Sequence, residues 1–229
     1  MSDFPLPRFP FGIVGFDLDG TLLDTSGDLA AAVNHALASA GRPALPVARI
    51  RTMIGGGSRH MLQQGMEATG GCTAAELDLL QQRLLAYYEA HIAVETRPFP
   101  GCLEALDALA ARGAVLAVVT NKYERLARIV LDALDLSHRF ATVIGGDTLG
   151  PDRGKPKPDL IELMVERCGE GRAAFVGDSI YDVTAAQAAG LPVVACSFGF
   201  LQQPVATLGA DAVIDGYDEL LPALERLAA

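Results

Sequence analysis

Along most of the chain, short apolar runs alternate with longer segments in which apolar residues recur at helical spacing. The apolar runs are bounded by glycine and proline and predict strands at residues 11–16, 115–119, 141–144, 173–176, 192–196 and 212–214. Apolar residues three and four positions apart predict helices at residues 103–112, 124–134, 159–167, 180–189 and 218–227. Short apolar strands that alternate with helices predict an α/β fold, with a Rossmann-like parallel sheet covered on both faces.

Residues 26–97 interrupt this order just after the first predicted strand. The interval contains AAAVNHALASAG, SRHMLQQGMEAT and AELDLLQQRLLAYYEAHI, all with helical spacing, and no convincing strand. An insertion at this point must leave and re-enter the same end of the sheet, so we expect it above the carboxyl ends of the strands, where open parallel sheets bind ligands. We therefore predict a core at residues 1–25 and 98–229 and a small helical-bundle cap at residues 26–97.

The charge and composition argue against contacts with nucleic acids and membranes. The 229 residues are 50% hydrophobic, carry a formal net charge of −10 at pH 7 and include four cysteines without a C-x-x-C pair. The acidic balance disfavours nucleic acid and anionic lipid, and no apolar stretch reaches the about 20 residues of a transmembrane helix. The first residues, MSDFPLPRFPFG, lack a basic segment followed by an apolar helix. We expect reduced thiols and a cytoplasmic location.

Polar residues follow the predicted strands where each one ends. The first strand runs into DLDGT, which places the acids Asp17 and Asp19 near one sheet edge. One interpretation is a solvated turn in which Asp and Gly serve the backbone. The other is chemical, because paired carboxylates can hold a divalent cation, and one can attack phosphorus while the other moves protons.

Four short motifs in a fixed order resemble those of the haloacid dehalogenase superfamily, in its phosphatase branch. DLDGT is similar to the first motif, and Thr120, at the end of the VLAVVT strand, to the second. Lys155 in KPKP is similar to the third motif, and GDSIYD, with Asp178 and Asp182, to the fourth. The resemblance covers nearly the whole chain.

The resemblance implies a role for each matched residue. Asp17 would be the nucleophile that forms an aspartyl-phosphate, and Asp19 would protonate the leaving group and then activate water. Thr120 would bind the phosphoryl group, and Lys155 would neutralise it. Mg²⁺ would be held by the Asp17 carboxylate, the Asp19 main-chain carbonyl and Asp178. The presence of the second acid, Asp19, favours phosphoryl transfer, because the dehalogenases of the superfamily lack this acid.

Several neighbouring residues have more than one interpretation. Asp182 lies one helical turn after Asp178 and could bind the metal directly or through water, or support its ligands, and we favour one of the last two. Lys157 is an alternative to Lys155, and we prefer Lys155 because the lysine of the family pattern that this motif resembles precedes P-x-P. Asn121 could contact the phosphoryl oxygens or order its loop. Lys122 could approach the phosphate or lie in solvent.

A triple glycine at residues 55–57, followed by Ser58 and Arg59, is the most unusual feature of the predicted cap. It could be a flexible turn between helices. Alternatively, the amides around Gly56 and the Arg59 guanidinium could meet an anionic group of the substrate, such as a carboxylate.

Within the superfamily the chain resembles the phosphoglycolate phosphatase group. DLDGTLLDTSGDLAAAVN, IGGG, FATVIGGDT and KPKPDL carry this narrower resemblance. It implies hydrolysis of a small anionic phosphate ester, 2-phosphoglycolate in the first place. The alternatives are a phosphatase of an amino-sugar phosphate, a sugar phosphate or pyrophosphate, a phosphosugar mutase, and a binding protein without catalysis. We expect a monomer or a homodimer.

Overall fold

The computed structural model describes residues 9–229, so the first eight residues of the predicted core lie outside the described part of the chain. The strands are β1 (Ile13–Phe16), β2 (Leu23–Asp24), β3 (Arg97–Pro98), β4 (Val115–Val119), β5 (Thr142–Ile144), β6 (Ala173–Gly177), β7 (Val193–Cys196) and β8 (Ala212–Ile214). The α-helices are α1 (Ser26–Ser39), α2 (Val47–Arg51), α3 (Ser58–Glu67), α4 (Ala74–Ala90), α5 (Cys102–Ala111), α6 (Glu124–Ala133), α7 (Asp159–Cys168), α8 (Ile180–Ala188) and α9 (Leu220–Ala228).

Six strands form a parallel sheet in the order β5-β4-β1-β6-β7-β8. Strand β1 lies in its interior, where Ile13 is opposite Val115 of β4 and Ala173 of β6. Parallel neighbours need crossover connections, and helices supply them here. The α/β class and the six predicted strands are confirmed. The first strand begins two residues later than predicted, because Phe11 is buried but precedes the ladder.

Successive side chains in the sheet point to opposite faces, so each strand contributes to two apolar layers. In β1, Val14 and Phe16 belong to the layer that includes α5, α6 and α9. Ile13 belongs to the other layer, with buried residues of α7 and α8. Because both faces are covered, the central strands are apolar throughout, and their polar residues are confined to the strand ends.

Helices α1 to α4 occupy the interval that the sequence predicts to be helical. Helix α1 packs against α2, α3 and α4, and α3 also packs against α4. The expectation of no strand in this interval is wrong at its last residue, because Arg97 belongs to β3, which pairs antiparallel with β2. These two-residue strands are too short to show a period in the sequence. The division into a core and a cap domain stays a prediction.

A buried carboxylate joins the two ends of the helical segment. Asp28, in the first turn of α1, accepts hydrogen bonds from the backbone N–H of Glu95 at 3.0 Å and of Thr96 at 3.0 Å. The Thr96 hydroxyl donates to the same carboxylate at 2.6 Å. A carboxylate that accepts several backbone bonds is well compensated in the interior, so Asp28 fixes where the chain leaves and re-enters the sheet end.

No helix within residues 9–229 is both long and apolar enough to cross a membrane. The four cysteines, Cys72, Cys102, Cys168 and Cys196, are free thiols. The cytoplasmic location and the oligomeric state stay predictions.

Candidate active site

The carboxyl ends of the three adjacent strands β4, β1 and β6 bring the predicted site residues together. Asp17 follows β1, Thr120 follows β4 and Asp178 follows β6, and all three are buried. Parallel neighbours end at the same sheet edge, so residues that are distant in sequence meet there. The backbone N–H of Asp17 donates to the Val176 carbonyl at 2.9 Å, which continues the β1–β6 ladder into the site.

Lys155 joins Asp17 to Asp182. Its ammonium nitrogen lies 2.8 Å from Asp17 Oδ1 and 2.8 Å from the Val119 carbonyl oxygen, and it also contacts Asp182 Oδ1. An ammonium has three N–H donors, and these three oxygens use all of them. Lys155 is therefore fixed at the carboxyl ends of β1 and β4, whereas Lys157 is exposed and donates to the Asp152 carbonyl.

Asp182 is held by its neighbours through both carboxylate oxygens. Its Oδ2 accepts hydrogen bonds from the Ser179 N–H at 3.0 Å, the Ser179 hydroxyl at 2.6 Å and the Asp178 N–H at 3.3 Å. Ser179 is the N-cap of α8, and the reciprocal bonds with Asp182 form a capping box. Since Lys155 takes the other oxygen, the arrangement orients Lys155 and the Asp178 loop.

Asp178 lies in a narrow slot between two glycines. Its carboxylate accepts hydrogen bonds from the Thr21 hydroxyl at 3.1 Å and from the Phe200 N–H at 2.6 Å. A Cβ atom on Gly199 would lie 2.2 Å from the Asp178 Cβ, and one on Gly20, which has φ +92°, would lie 2.2 Å from Asp178 Oδ2. Only glycine permits this approach, so the DG pair of the first motif serves packing as well as turn geometry.

The acids at this edge carry more negative charge than the adjacent lysine compensates. One oxygen each of Asp17, Asp178 and Asp182 lies within 4.8 Å of the others, and within residues 9–229 the basic side chain that contacts the group is Lys155. Burial raises the pKa of Asp17 to about 6, against the lowering effect of Lys155. Burial and then the charges of Asp182 and Asp17 raise the pKa of Asp178 well above its usual value.

A divalent cation fits this donor set. Three carboxylates and one ammonium leave two negative charges, which an ion such as Mg²⁺ would balance, and carboxylate oxygens are the ligands it prefers. Asp17 and Asp178 are the acids best placed to hold the ion, because each Asp178 oxygen accepts one neutral hydrogen bond, whereas Asp182 is paired with Lys155 through one oxygen and accepts three hydrogen bonds through the other.

Asp19 forms a second buried ion pair, with Lys122. The Lys122 ammonium nitrogen lies 2.9 Å and 2.7 Å from the two Asp19 carboxylate oxygens and 4.7 Å from the centre of the Tyr88 ring on α4. Burial lowers the pKa of Lys122, but Asp19 and Tyr88 raise it, and the net shift is upward. The sequence does not decide whether Lys122 approaches the phosphate or lies in solvent, and it carries no signal for the pairing with Asp19 that the structure shows.

Thr120 and Asn121 connect the site to the helical segment. The Thr120 hydroxyl oxygen accepts a hydrogen bond of 3.3 Å from the Lys122 N–H, which shapes the loop after β4. The Asn121 amide donates to the Gly55 carbonyl at 3.0 Å and to the Lys155 carbonyl at 2.9 Å. Asn121 thus bridges the triple-glycine loop and the loop that carries Lys155.

One cavity, with a volume of about 40 Å³, contains Asp17, Asp19 and Thr120 at one end and reaches α4 at the other. Its polar lining also includes Ser58, Tyr88, Asn121, Lys122 and Tyr123. Its apolar lining is Leu29, Ile54, Met61, Leu84, Leu85 and Leu126. Residues of α1, α3 and α4 therefore form part of the wall of this cavity.

Gly56 and Arg59 line a neighbouring, wider cavity and do not line the one with Asp17. The Arg59 guanidinium pairs with Asp78 of α4, and the two side chains are 46% and 61% exposed. Gly55 and Gly57 have φ values of +122° and +85°, so two of the three glycines are required by the turn itself. The predicted contact of Gly56 and Arg59 with substrate stays a prediction.

Comparison with known proteins gives a consistent result. The family model of the haloacid dehalogenase-like hydrolases matches residues 14–196. A phosphoglycolate phosphatase of Caulobacter vibrioides is 44% identical over 207 residues, covering 89% of this chain and 86% of that protein. One from Agrobacterium fabrum is 38% identical over 229 residues, covering 97% and 96%. The crystal structure of a predicted phosphoglycolate phosphatase from Haemophilus somnus has a TM-score of 0.86 at 32% identity, covering 93% of this chain and 97% of that one.

Proposed function

The chain belongs to the haloacid dehalogenase-like hydrolases, and from this membership and the site geometry we propose that it hydrolyses a small phosphate monoester through a phosphorylated Asp17. It is a phosphoric monoester hydrolase, as its relatives are. The observation that carries the proposal is the buried Asp17 carboxylate, which lies 2.8 Å from the Lys155 ammonium and lines the same cavity as Asp19 and Thr120.

Asp17 is the nucleophile in this proposal. Its carboxylate oxygen attacks the phosphorus atom, the bond between phosphorus and the ester oxygen breaks, and the phosphoryl group is carried as a mixed anhydride on Asp17. Lys155 would stabilise the negative charge of the nucleophile and of the phosphoryl group. The Thr120 hydroxyl and the Asn121 amide would orient the phosphoryl oxygens.

Asp19 moves the protons. In its acid form it gives a proton to the leaving alkoxide, and the resulting carboxylate then takes a proton from a water molecule. That water attacks phosphorus, the bond to Asp17 breaks, and inorganic phosphate leaves with Asp17 restored as a carboxylate. Asp19 lines the same cavity as Asp17, which supports these two roles.

The proposal includes a divalent cation, Mg²⁺ in the first place. Asp17, the Asp19 main-chain carbonyl and Asp178 would hold it, and when bound it would neutralise charge on the phosphoryl oxygens and their carboxylate neighbours. Asp182 would act by holding Lys155 and the Asp178 loop, a role supported by the hydrogen bonds to both of its oxygens.

The proposed substrate is 2-phosphoglycolate, with glycolate and phosphate as products. Two curated relatives that cover most of this chain carry the name phosphoglycolate phosphatase. The helical segment at residues 26–97 would act as the cap that closes over this ester.

The direct test is a panel of small phosphate compounds ranked by kcat/KM in the presence of Mg²⁺. The panel contains 2-phosphoglycolate, an amino-sugar phosphate, a hexose phosphate and pyrophosphate, and p-nitrophenyl phosphate reports on the reaction core alone. The proposal predicts that 2-phosphoglycolate ranks first and that chelation with EDTA abolishes every activity. A different ester in first place would correct the substrate, and full activity after exhaustive chelation would contradict the metal.

A further inference from the structure

The cavity above Asp17 has one basic side chain among the described residues that line it, and that side chain is Lys122. Lys155 contacts Asp17 but does not line this cavity. Arg59 lines the neighbouring cavity and pairs with Asp78. Apart from the reaction core, the cavity wall is mainly apolar. A second anionic group on a substrate in this cavity would therefore meet the Lys122 ammonium, which it would share with Asp19.

The positive charge of Lys122 is buried, so water screens it little. Its side chain is only 6% exposed, and the ammonium lies between the Asp19 carboxylate and the face of the Tyr88 ring. The ammonium has three N–H donors, and within the described residues two of them reach Asp19 oxygens. The third donor makes no further hydrogen bond within the described residues and faces the side of Tyr88, so an oxygen of a bound molecule beside Tyr88 could accept it.

Tyr88 offers a second donor beside Lys122. The residue is 2% exposed, and its hydroxyl makes no hydrogen bond of ordinary geometry in residues 9–229, although the Lys122 ammonium lies close to the side chain. A buried hydroxyl without a partner is unfavourable, and such groups in native structures commonly mark a place for a ligand or water. Burial raises the pKa of Tyr88 to about 12, so the hydroxyl keeps its proton near neutral pH and can donate it.

We propose that Lys122 and the Tyr88 hydroxyl bind the anionic end of the ester opposite the phosphate, and that this pair selects esters that carry a carboxylate. The inference deepens the proposed function and rests on it. A carboxylate has two oxygens for these two donors, one charged and one neutral. A cationic end would be repelled by Lys122, and an apolar end would leave both donors without a new partner.

The pair also links the two parts of the site. Tyr88 is on α4 of the helical segment, whereas Lys122 follows β4 at the edge of the sheet. A carboxylate bound between them would contact both sides of the cavity. The apolar side chains around it would exclude water and strengthen the interaction with the ammonium.

The test compares two esters with the same two-carbon chain that differ at the distal carbon, which is a carboxylate in 2-phosphoglycolate and a methyl group in ethyl phosphate. We expect Lys122→Gln to lower kcat/KM for 2-phosphoglycolate about 10–100-fold more than kcat/KM for ethyl phosphate, the usual effect of removing a charged hydrogen-bond donor. Lys122→Arg keeps the charge and should retain most of the preference. Lys157→Gln removes an exposed lysine charge and is the matched control, with no change on either ester.

Equal losses on both esters would overturn the proposal, because Lys122 would then act only through Asp19 or through the fold. A selective loss with Arg59→Gln in place of Lys122→Gln would overturn it as well and would assign the carboxylate to Arg59. If circular dichroism shows that Lys122→Gln is unfolded, Tyr88→Phe decides. We expect a loss of about 2–10-fold on 2-phosphoglycolate alone, the usual effect of one neutral hydrogen bond, and an unchanged ratio would contradict the proposal.

The wild-type protein separates this inference from the proposed function. Hydrolysis of ethyl phosphate and p-nitrophenyl phosphate without a preference for 2-phosphoglycolate would overturn the carboxylate subsite and leave the phosphatase assignment intact. Hydrolysis of none of the three esters with Mg²⁺ present would overturn the proposed function itself.

Discussion

The ammonium of Lys155 lies 2.8 Å from a carboxylate oxygen of Asp17, although the two residues are 138 positions apart in the chain. The same ammonium contacts Asp182 and the Val119 carbonyl, so one buried lysine joins the ends of β1 and β4 to the start of α8. This contact unites the nucleophile and the phosphate-binding lysine of the proposed reaction. It also makes the stability of the fold depend on residues of the site.

The first prediction concerns this shared lysine. Lys155→Met removes the ammonium from between two buried carboxylates, and breaking a buried pair in this way costs about 3–5 kcal/mol. We expect urea unfolding to show a loss of that size and turnover to disappear. Adding Asp182→Asn should restore part of the stability and none of the activity. Lys157→Met is the control, because Lys157 is exposed. If Lys157→Met lowered the stability as much as Lys155→Met, the buried contacts of Lys155 would not be the cause.

The second prediction concerns the second acid. Asp19→Asn removes the proton donor and acceptor, so kcat with 2-phosphoglycolate should fall about 10²–10⁴-fold, the usual range for general acid–base catalysis. The first step with p-nitrophenyl phosphate should be affected least, because its leaving group needs little protonation. Rapid-mixing measurements of p-nitrophenol release check this difference. An equal slowing of the first step with both esters would argue against a proton-transfer role.

The third prediction concerns the metal. Asp178→Ala should abolish Mg²⁺ binding and activity together. Asp182→Ala should weaken both less, because one Asp182 oxygen is paired with the Lys155 ammonium and the other accepts three hydrogen bonds. Ca²⁺ should inhibit, since its larger and looser coordination suits the transfer poorly. Titration calorimetry gives the binding constants. Tight Mg²⁺ binding to the Asp178→Ala protein would contradict the assignment of this ligand.

The fourth prediction concerns the packing around Asp178. Gly199→Ala would place a Cβ atom 2.2 Å from the Asp178 Cβ, so the loop must shift. We expect a loss of about 1–3 kcal/mol, as for other overpacked sites, together with weaker Mg²⁺ binding. Gly12→Ala is the matched control, because its nearest contact would be an ordinary 3.5 Å, and it should change stability by less than about 0.5 kcal/mol. Similar effects of both substitutions on Mg²⁺ binding would refute the packing argument.

The strands and the order of the site residues could be predicted because each depends on local sequence. The run VLAVV is apolar, follows Gly113 and Ala114 and ends at Thr120, and the structure places β4 at the predicted residues 115–119. Thr120 and Asp178 follow strands that neighbour β1, so their meeting with Asp17 follows from a parallel sheet. Strands β2 and β3 could not be predicted, because two residues carry no period.

The ion pairs of Lys122 and Arg59 join residues that are distant in the sequence, so no local sequence pattern predicts them. Nothing near Lys122 in the sequence shows that it lies under Tyr88 and pairs with Asp19, because those residues come from a different helix and a different strand end. In the same way, Arg59 could be placed beside a glycine-rich turn, but its partner Asp78 lies on the next helix and became known only from the fold.

The central claim is that the phosphoryl group is carried on Asp17, and trapping this intermediate tests it most directly. In the Asp19→Asn protein with p-nitrophenyl phosphate and Mg²⁺, the first step should proceed while hydrolysis of the intermediate is slow, because the base that activates water is missing. The account predicts a burst of p-nitrophenol approaching one equivalent of enzyme, and a phosphoryl group on Asp17 in the peptide found by mass spectrometry after acid quenching. Linear release without a burst, or a phosphoryl group on any other residue, would contradict the account.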